Sequence, residues 1–221
     1  MLKPKKKITR KEIKRDPFLE TIDKFENSFE NNKKTFLNIV LAILAGIFIV
    51  NFLLKKQVQK NIDSNSALGV ATVAFDNNDY ENAKFQFETI ISEFKGTKAA
   101  SIANFFLGKI YFENNEFEKS ELFLNTFMNN KNSEILQVGA MKMLVNIALQ
   151  DNQYEKAIKL LENVSKTTSK NGLIELKILK VSILKSQGKK EKAKSLIEEI
   201  MLIEKLPRHL KQKSEELFGM M

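Results

Sequence analysis

The chain has no cysteine, no tryptophan, one histidine and three prolines in 221 residues. Without thiols it can form neither disulfides nor thiolate zinc sites, and it cannot carry the lipidated cysteine of a lipoprotein. The single histidine, His209, makes neither a metal site nor a catalytic triad by itself and reads as a surface or interface residue. There is no phosphate-binding glycine loop, no nucleophile elbow and no paired-histidine zinc motif. The carboxylate pairs Glu198-Glu199 and Glu215-Glu216 sit among lysines and read as solvated helix faces. An enzyme is therefore not expected, nor are a catalytic residue, a cofactor, a metal or a small-molecule substrate.

Charge is the next absence. From Thr35 to Leu54, TFLNIVLAILAGIFIVNFLL, no residue is ionisable, and the polar ones (Thr35, Asn38 and Asn51) lie near the ends. A run of about 20 apolar residues is what a helix needs to cross a bilayer. It begins too far from the start for a signal peptide, and no small-residue cleavage pattern follows it. The reading is an uncleaved anchor. Basic residues crowd the side before it, from Lys3 through Arg10 and Arg15 to Lys34, against Lys55, Lys56 and Lys60 after it. Lys and Arg stay on the cytoplasmic side, so the expected topology is N-terminus inside and the remainder outside. In a bacterium that is a single-pass inner-membrane protein with a periplasmic domain.

The leading segment, residues 1–34, has its own pattern. Thr9 to Glu12 has capping-box spacing, and Asp16-Pro17 is a second helix start. Phe18, Ile22, Phe25 and Phe29 then recur at helical spacing. This predicts an amphipathic helix that either lies on membrane lipid or merely belongs to a solvated tail enforcing topology. The net charge of +9 owes much to this segment, because residues 55–221 carry about 25 basic and 21 acidic side chains. That near balance argues against nucleic acid as a partner.

After Lys60 the only proline is Pro207, no strand-like alternation occurs, and one phrase returns four times. DNNDYENA, ENNEFEKS, DNQYEKA and SQGKKEKA recur at 36–37 residue intervals. Small residues at Ala71 and Gly108 allow two helices to approach. Asn78, Asn115, Asn152 and Gly188 suit the left-handed residue that ends a helix. Tyr80, Phe117 and Tyr154 follow two positions later, where a ring packs back over the turn, and Lys190 stands there in the fourth copy. Ala83, Ser120, Ala157 and Ala193 are the small residues facing the preceding helix. Such units cannot bury their apolar faces alone, so the expected fold is an all-α solenoid of about four helix-turn-helix repeats behind one transmembrane helix. The expected divisions are a tail at 1–34, a span at 35–54, a linker or helix extension at 55–63, repeats at 64–205 and a capping helix at 206–221.

The phrase resembles the tetratricopeptide repeat family, best at Leu107-Gly108-Lys109-Ile110-Tyr111 followed by Asn115-Glu116-Phe117-Glu118-Lys119-Ser120. It lacks that family's Trp and its repeat-ending Pro, and its period is two or three residues longer. The whole layout is similar to the ancillary Sec-translocon subunits (YfgM-type). That resemblance implies a protein-binding scaffold in export or envelope assembly, with the translocon, periplasmic chaperones or their clients as partners. A self-associating structural adaptor without a client is the alternative. In the repeat family, first helices line a concave groove. Mapped here, groove positions are Leu68, Thr72, Phe75 and Asp76, then Phe105, Lys109, Phe112 and Glu113, then Lys142, Asn146 and Leu149, and last Ile178, Ser182 and Lys185. An aromatic strip of Phe75, Phe105 and Phe112 would suit an apolar or helical peptide, or would be ordinary inter-helix packing.

Overall fold

A computed structural model describes residues 17–130, 134–163 and 169–221. The chain forms two compact units, one ending at Gln57 and the other beginning at Val58. No strand occurs among the described residues.

The first unit holds helix α1, Pro17–Asn31, and most of the apolar part of α2, Lys33–Asp76. Pro17 opens α1, where a missing N–H costs nothing because that donor has no intrahelical partner. Asp16 and the Thr9–Glu12 box lie outside the described residues. Along the amphipathic stripe, Ile22 and Phe29 are exposed, and the Phe29 ring meets Phe36 at 5.3 Å. The side chains of Phe18 and Phe25 lie outside the described set. In α2 the run after Lys33 is long and apolar enough to cross a membrane by length and composition, and its most apolar stretch is not buried by the chain. Its leucines and isoleucines are left bare, which a soluble core helix would not tolerate. The helix continues unbroken through residues 55–63.

The second unit takes the C-terminal turns of α2 and then α3 (Tyr80–Glu93), α4 (Lys98–Glu113), α5 (Phe117–Asn129) and α6 (Glu134–Gln150). It continues with α7 (Tyr154–Glu162), α8 (Lys170–Ser186), α9 (Lys190–Met201) and α10 (Arg208–Gly219). The helices pair as hairpins, α2 with α3 and so on to α8 with α9. Each hairpin turns by the same device. Asn78, Asn115, Asn152 and Gly188 adopt φ of 61°, 61°, 56° and 71°. The next N–H reaches back five residues: Asp79 to Ala74, Glu116 to Tyr111, Gln153 to Ala148 and Lys189 to Leu184, at 2.7–3.0 Å. This wrap satisfies carbonyls that the helix end would orphan, and only Gly or Asn enters the left-handed region cheaply. The recurring phrase is therefore, in the first place, a turn specification.

Packing follows the phrase as well. Ala71, Ala83, Ser120, Ala157 and Ala193 are all wholly buried. At the second hairpin the Ser120 hydroxyl donates to the Gly108 carbonyl at 2.7 Å, fastening α5 to α4. A Cβ on Gly108 would lie 2.7 Å from Leu124 Cγ and Cδ2, so only glycine permits this approach. Val70 departs from the pattern: it is 59% exposed, whereas its counterparts Leu107 and Leu144 are buried. Val164, the last apolar position of the third copy, lies outside the described residues.

Four apolar clusters fill the unit, each made from one hairpin plus the next first helix. Helix α4 serves both the first cluster and the second, so it is buried on both sides. The remaining interfaces follow the same order: α4 touches α6, α6 touches α8 and α8 touches α10. No hairpin has a core of its own, so stability is shared between neighbours. Helix α10 starts after Pro207, whose fixed φ and missing N–H suit the entry to a helix, and buries Leu210 against α8 and α9.

Candidate protein-binding surface

Groove positions were expected on the first helices of the repeats, the end of α2 and then α4, α6 and α8, of which α4 touches α6, α6 touches α8 and α8 touches α10 in one row. The aromatic strip is not open. Phe105 is 7% exposed and sits in the cluster with Leu124, Phe127, Leu144 and Ile147, its ring 5.4 Å from Phe127. Phe75 is 8% exposed, its ring tilted against Tyr80 at 5.5 Å and edge-on to Phe106 at 5.2 Å, with the Lys109 ammonium over its face at 4.9 Å. Both rings are core, which corrects their assignment to an open groove. For Phe105 the cause is that α4 is covered by α3, α5 and α6, whereas Phe75, near the end of α2, is enclosed by Tyr80 and by Phe106 of α4. Phe112 is half-buried and meets Phe117 at 5.9 Å. Leu68 is half-buried against the first cluster, and Lys109 lies 3.7 Å from Glu113.

An opening exists farther along the row, between α6, α8 and α10. It is a cleft of about 560 Å³ with a floor of Val145, Leu149, Ile178, Leu179 and Leu210. Lys142, Asn146, Glu175, His209 and Lys213 stand around the rim. Four expected groove residues, Lys142, Asn146, Leu149 and Ile178, thus converge on one site. Leu68, Thr72, Phe75, Asp76, Phe105, Lys109, Phe112 and Glu113 do not reach it, nor do Ser182 and Lys185 of α8. Lys142 forms an ion pair with Glu175, tying the third repeat to the fourth. Asn146 and Lys213 are exposed.

His209, Leu210 and Lys213 were missed as site residues. They belong to a helix outside the repeat phrase, and only its packing on α8 and α9 brings it to the cleft. The i, i+4 spacing of His209 and Lys213 was the available signal that both face one way.

Charge elsewhere stitches neighbouring helices. Lys156 pairs with Glu121 at 2.8 Å, Lys177 with Glu199 at 2.6 Å and Lys180 with Glu162 at 2.6 Å. The hydrogen bond from Lys180, and then its charge, hold the Glu162 carboxyl below its ordinary value. On α5, the Glu116 carboxylate accepts from Lys119 and raises the lysine pKa. Among the described residues no group of three potential ligands could hold a metal ion.

Stacked helical hairpins with left-handed turns, buried small residues and a cleft along the first-helix row define a repeat scaffold. A family model described as a tetratricopeptide repeat-like domain matches residues 27–201, well over half the chain. The chain belongs to this tetratricopeptide repeat-like family. Its members' repeats generally mediate protein–protein contacts and are scaffolds rather than catalysts. No curated protein and no solved structure matches the chain.

Proposed function

We propose that the protein is a single-pass membrane scaffold whose repeat domain binds protein on the periplasmic side of a bacterial inner membrane, as an ancillary factor in export or envelope assembly. The observation that carries this reading is the unburied apolar stretch of α2 within a family match that also takes in the repeats. A bare apolar helix needs lipid around it, and a repeat domain attached to it then works beside the membrane. The lysine-rich segment before the span supports an inward N-terminus. The exposed Ile22 and Phe29 of α1 support contact of that segment with lipid. The layout of one basic leader, one span and four repeats supports a place near the Sec translocon and periplasmic chaperones.

The test is topology. Protease added to spheroplasts should digest the repeats and leave the N-terminal segment intact. Protected repeats would overturn the orientation and the export reading together.

A self-associating adaptor is the second reading. It is favoured by Val70, Val73 and Phe85, which stand 59%, 60% and 70% exposed on the first repeat. Concentration-dependent mass of the full chain, without any added partner, distinguishes it.

A further inference from the structure

We infer that the cleft between α6, α8 and α10 receives one or two large apolar side chains from a partner polypeptide whose flanking residues are acidic. This rests on the reading of the repeat domain as a protein-binding scaffold, and it names where that binding occurs and what it selects. The floor is apolar: Ile178 and Leu210 are buried beneath it and Leu149 is half-buried beside them. Its volume of about 560 Å³ lies within the roughly 300–1,000 Å³ usual for ligand sites. Water held against such a floor is released when an apolar side chain replaces it, which drives binding.

The rim sets the charge. Glu175 is the one carboxylate on the wall, and Lys142 already neutralises it. Lys213 forms no ion pair among the described residues and stands exposed at the edge. An uncompensated cation over an apolar floor favours a partner with carboxylates beside its apolar anchors. Asn146 favours a polypeptide over a lipid. Its exposed side-chain amide offers a donor and an acceptor together, which match a peptide backbone and have no counterpart on an acyl chain.

The test uses the full chain in phosphatidylcholine nanodiscs, with empty discs as the blank. Labelled helical peptides are titrated by fluorescence anisotropy: one of Leu and Glu, one with Lys replacing Glu, and one with Ser replacing Leu. The Leu/Glu peptide should bind at least about tenfold more tightly than either other, and Lys213→Glu should erase about tenfold of that. Asn146→Ala should weaken binding several-fold, whereas Lys194→Glu, exposed on α9 outside the cleft, should not change it. All three substituted residues are on the surface, so the variants stay folded. Equal binding of the peptides, preference for the Lys peptide, or indifference to Lys213→Glu overturns the inference. So does dodecanoate displacing the Leu/Glu peptide and binding more tightly than it, which would assign the cleft to lipid. A photoreactive residue placed at Asn146 or at Lys109 in living cells separates the two levels. Capture at position 109 alone discards the cleft and keeps the scaffold; capture at neither position, with no peptide binding, discards both.

Discussion

Replacing Gly108 and Gly69 with alanine, one at a time, separates crowding from helix propensity. Both glycines lie within helices at ordinary helical φ, so alanine should stabilise each by the same ~1 kcal/mol. Their surroundings differ. A Cβ on Gly69 meets nothing within 4 Å, whereas one on Gly108 meets Leu124 Cγ and Cδ2 at 2.7 Å and its backbone nitrogen at 3.2 Å. Leu124 is wholly buried among Phe105, Phe127 and Leu144, so its side chain has no free space to enter. Its nitrogen moves only if α5 moves, and the Ser120–Gly108 hydrogen bond resists that. Overpacking of this kind costs about 1–3 kcal/mol. Because the propensity gain is common to both variants, the difference between them isolates the crowding. At about 2–4 °C per kcal/mol for a domain of this size, the two melting points should separate by roughly 2–12 °C, Gly69→Ala being the higher. Far-ultraviolet circular dichroism of the full chain in micelles reads both, the span contributing the same background to each. Coincident melting would show that α4 and α5 do not cross at Gly108.

Phe105→Ala should destabilise the repeat domain by about 3–5 kcal/mol, the cost of emptying a buried aromatic site, and half-buried Phe112 should cost clearly less. Denaturant midpoints decide this, and an unchanged Phe105→Ala midpoint would return the ring to the surface. At the second turn, Asn115→Ala should cost about 1 kcal/mol at its φ of 61° while Asn115→Gly should be neutral or slightly favourable. Equal effects of the two would mean that the left-handed turn is not under strain. Glu162 has a folded pKa below its ordinary value of 4.5, so the unfolded chain takes up its proton first as pH falls. The stabilisation from the Lys180 pair is therefore present above about 4.5 and is lost as pH drops through the lower folded value. Glu162→Gln should shrink the fall in urea midpoint between neutral and acid solution, and an identical fall in parent and variant would exclude the pair as a contributor.

The hairpins were legible because their turns demand particular residues. Few side chains accept φ near 60°, so Asn78, Asn115, Asn152 and Gly188 announce themselves in the sequence. The buried Ala and Ser positions were legible for a similar reason, since close helix approach excludes anything larger. Face assignment was harder. Periodicity tells which residues share a face, not whether a neighbour covers it. Helix α4, covered by α3, α5 and α6, turns Phe105 inside, and the end of α2 buries Phe75 against Tyr80 and Phe106, so for both rings ordinary inter-helix packing prevails over an open groove. The third and fourth repeats carry aliphatic side chains and lysines on the same row. There the spacing gave Lys142, Asn146, Leu149 and Ile178, which line the cleft, and also Ser182 and Lys185, which do not, and it could not supply the wall from α10. That wall depends on how a helix outside the repeat docks on α8 and α9, which no local pattern encodes.

The order of contacts bears on how the domain is made. Each described interface joins helices that are adjacent or one apart in the chain. No early helix waits for a late one, so loop-closure entropy stays small at every step. A chain with such local contacts folds quickly, and folding can spread along it from any nucleus. For a protein delivered N-terminus first this is an advantage. The hairpin of α4 and α5 can close on α3 before α8 has left the ribosome, and unpaired apolar faces are covered almost as fast as they emerge. Helix α10, packed on α8 and α9, covers apolar faces of the fourth hairpin that would otherwise remain open to a neighbouring chain.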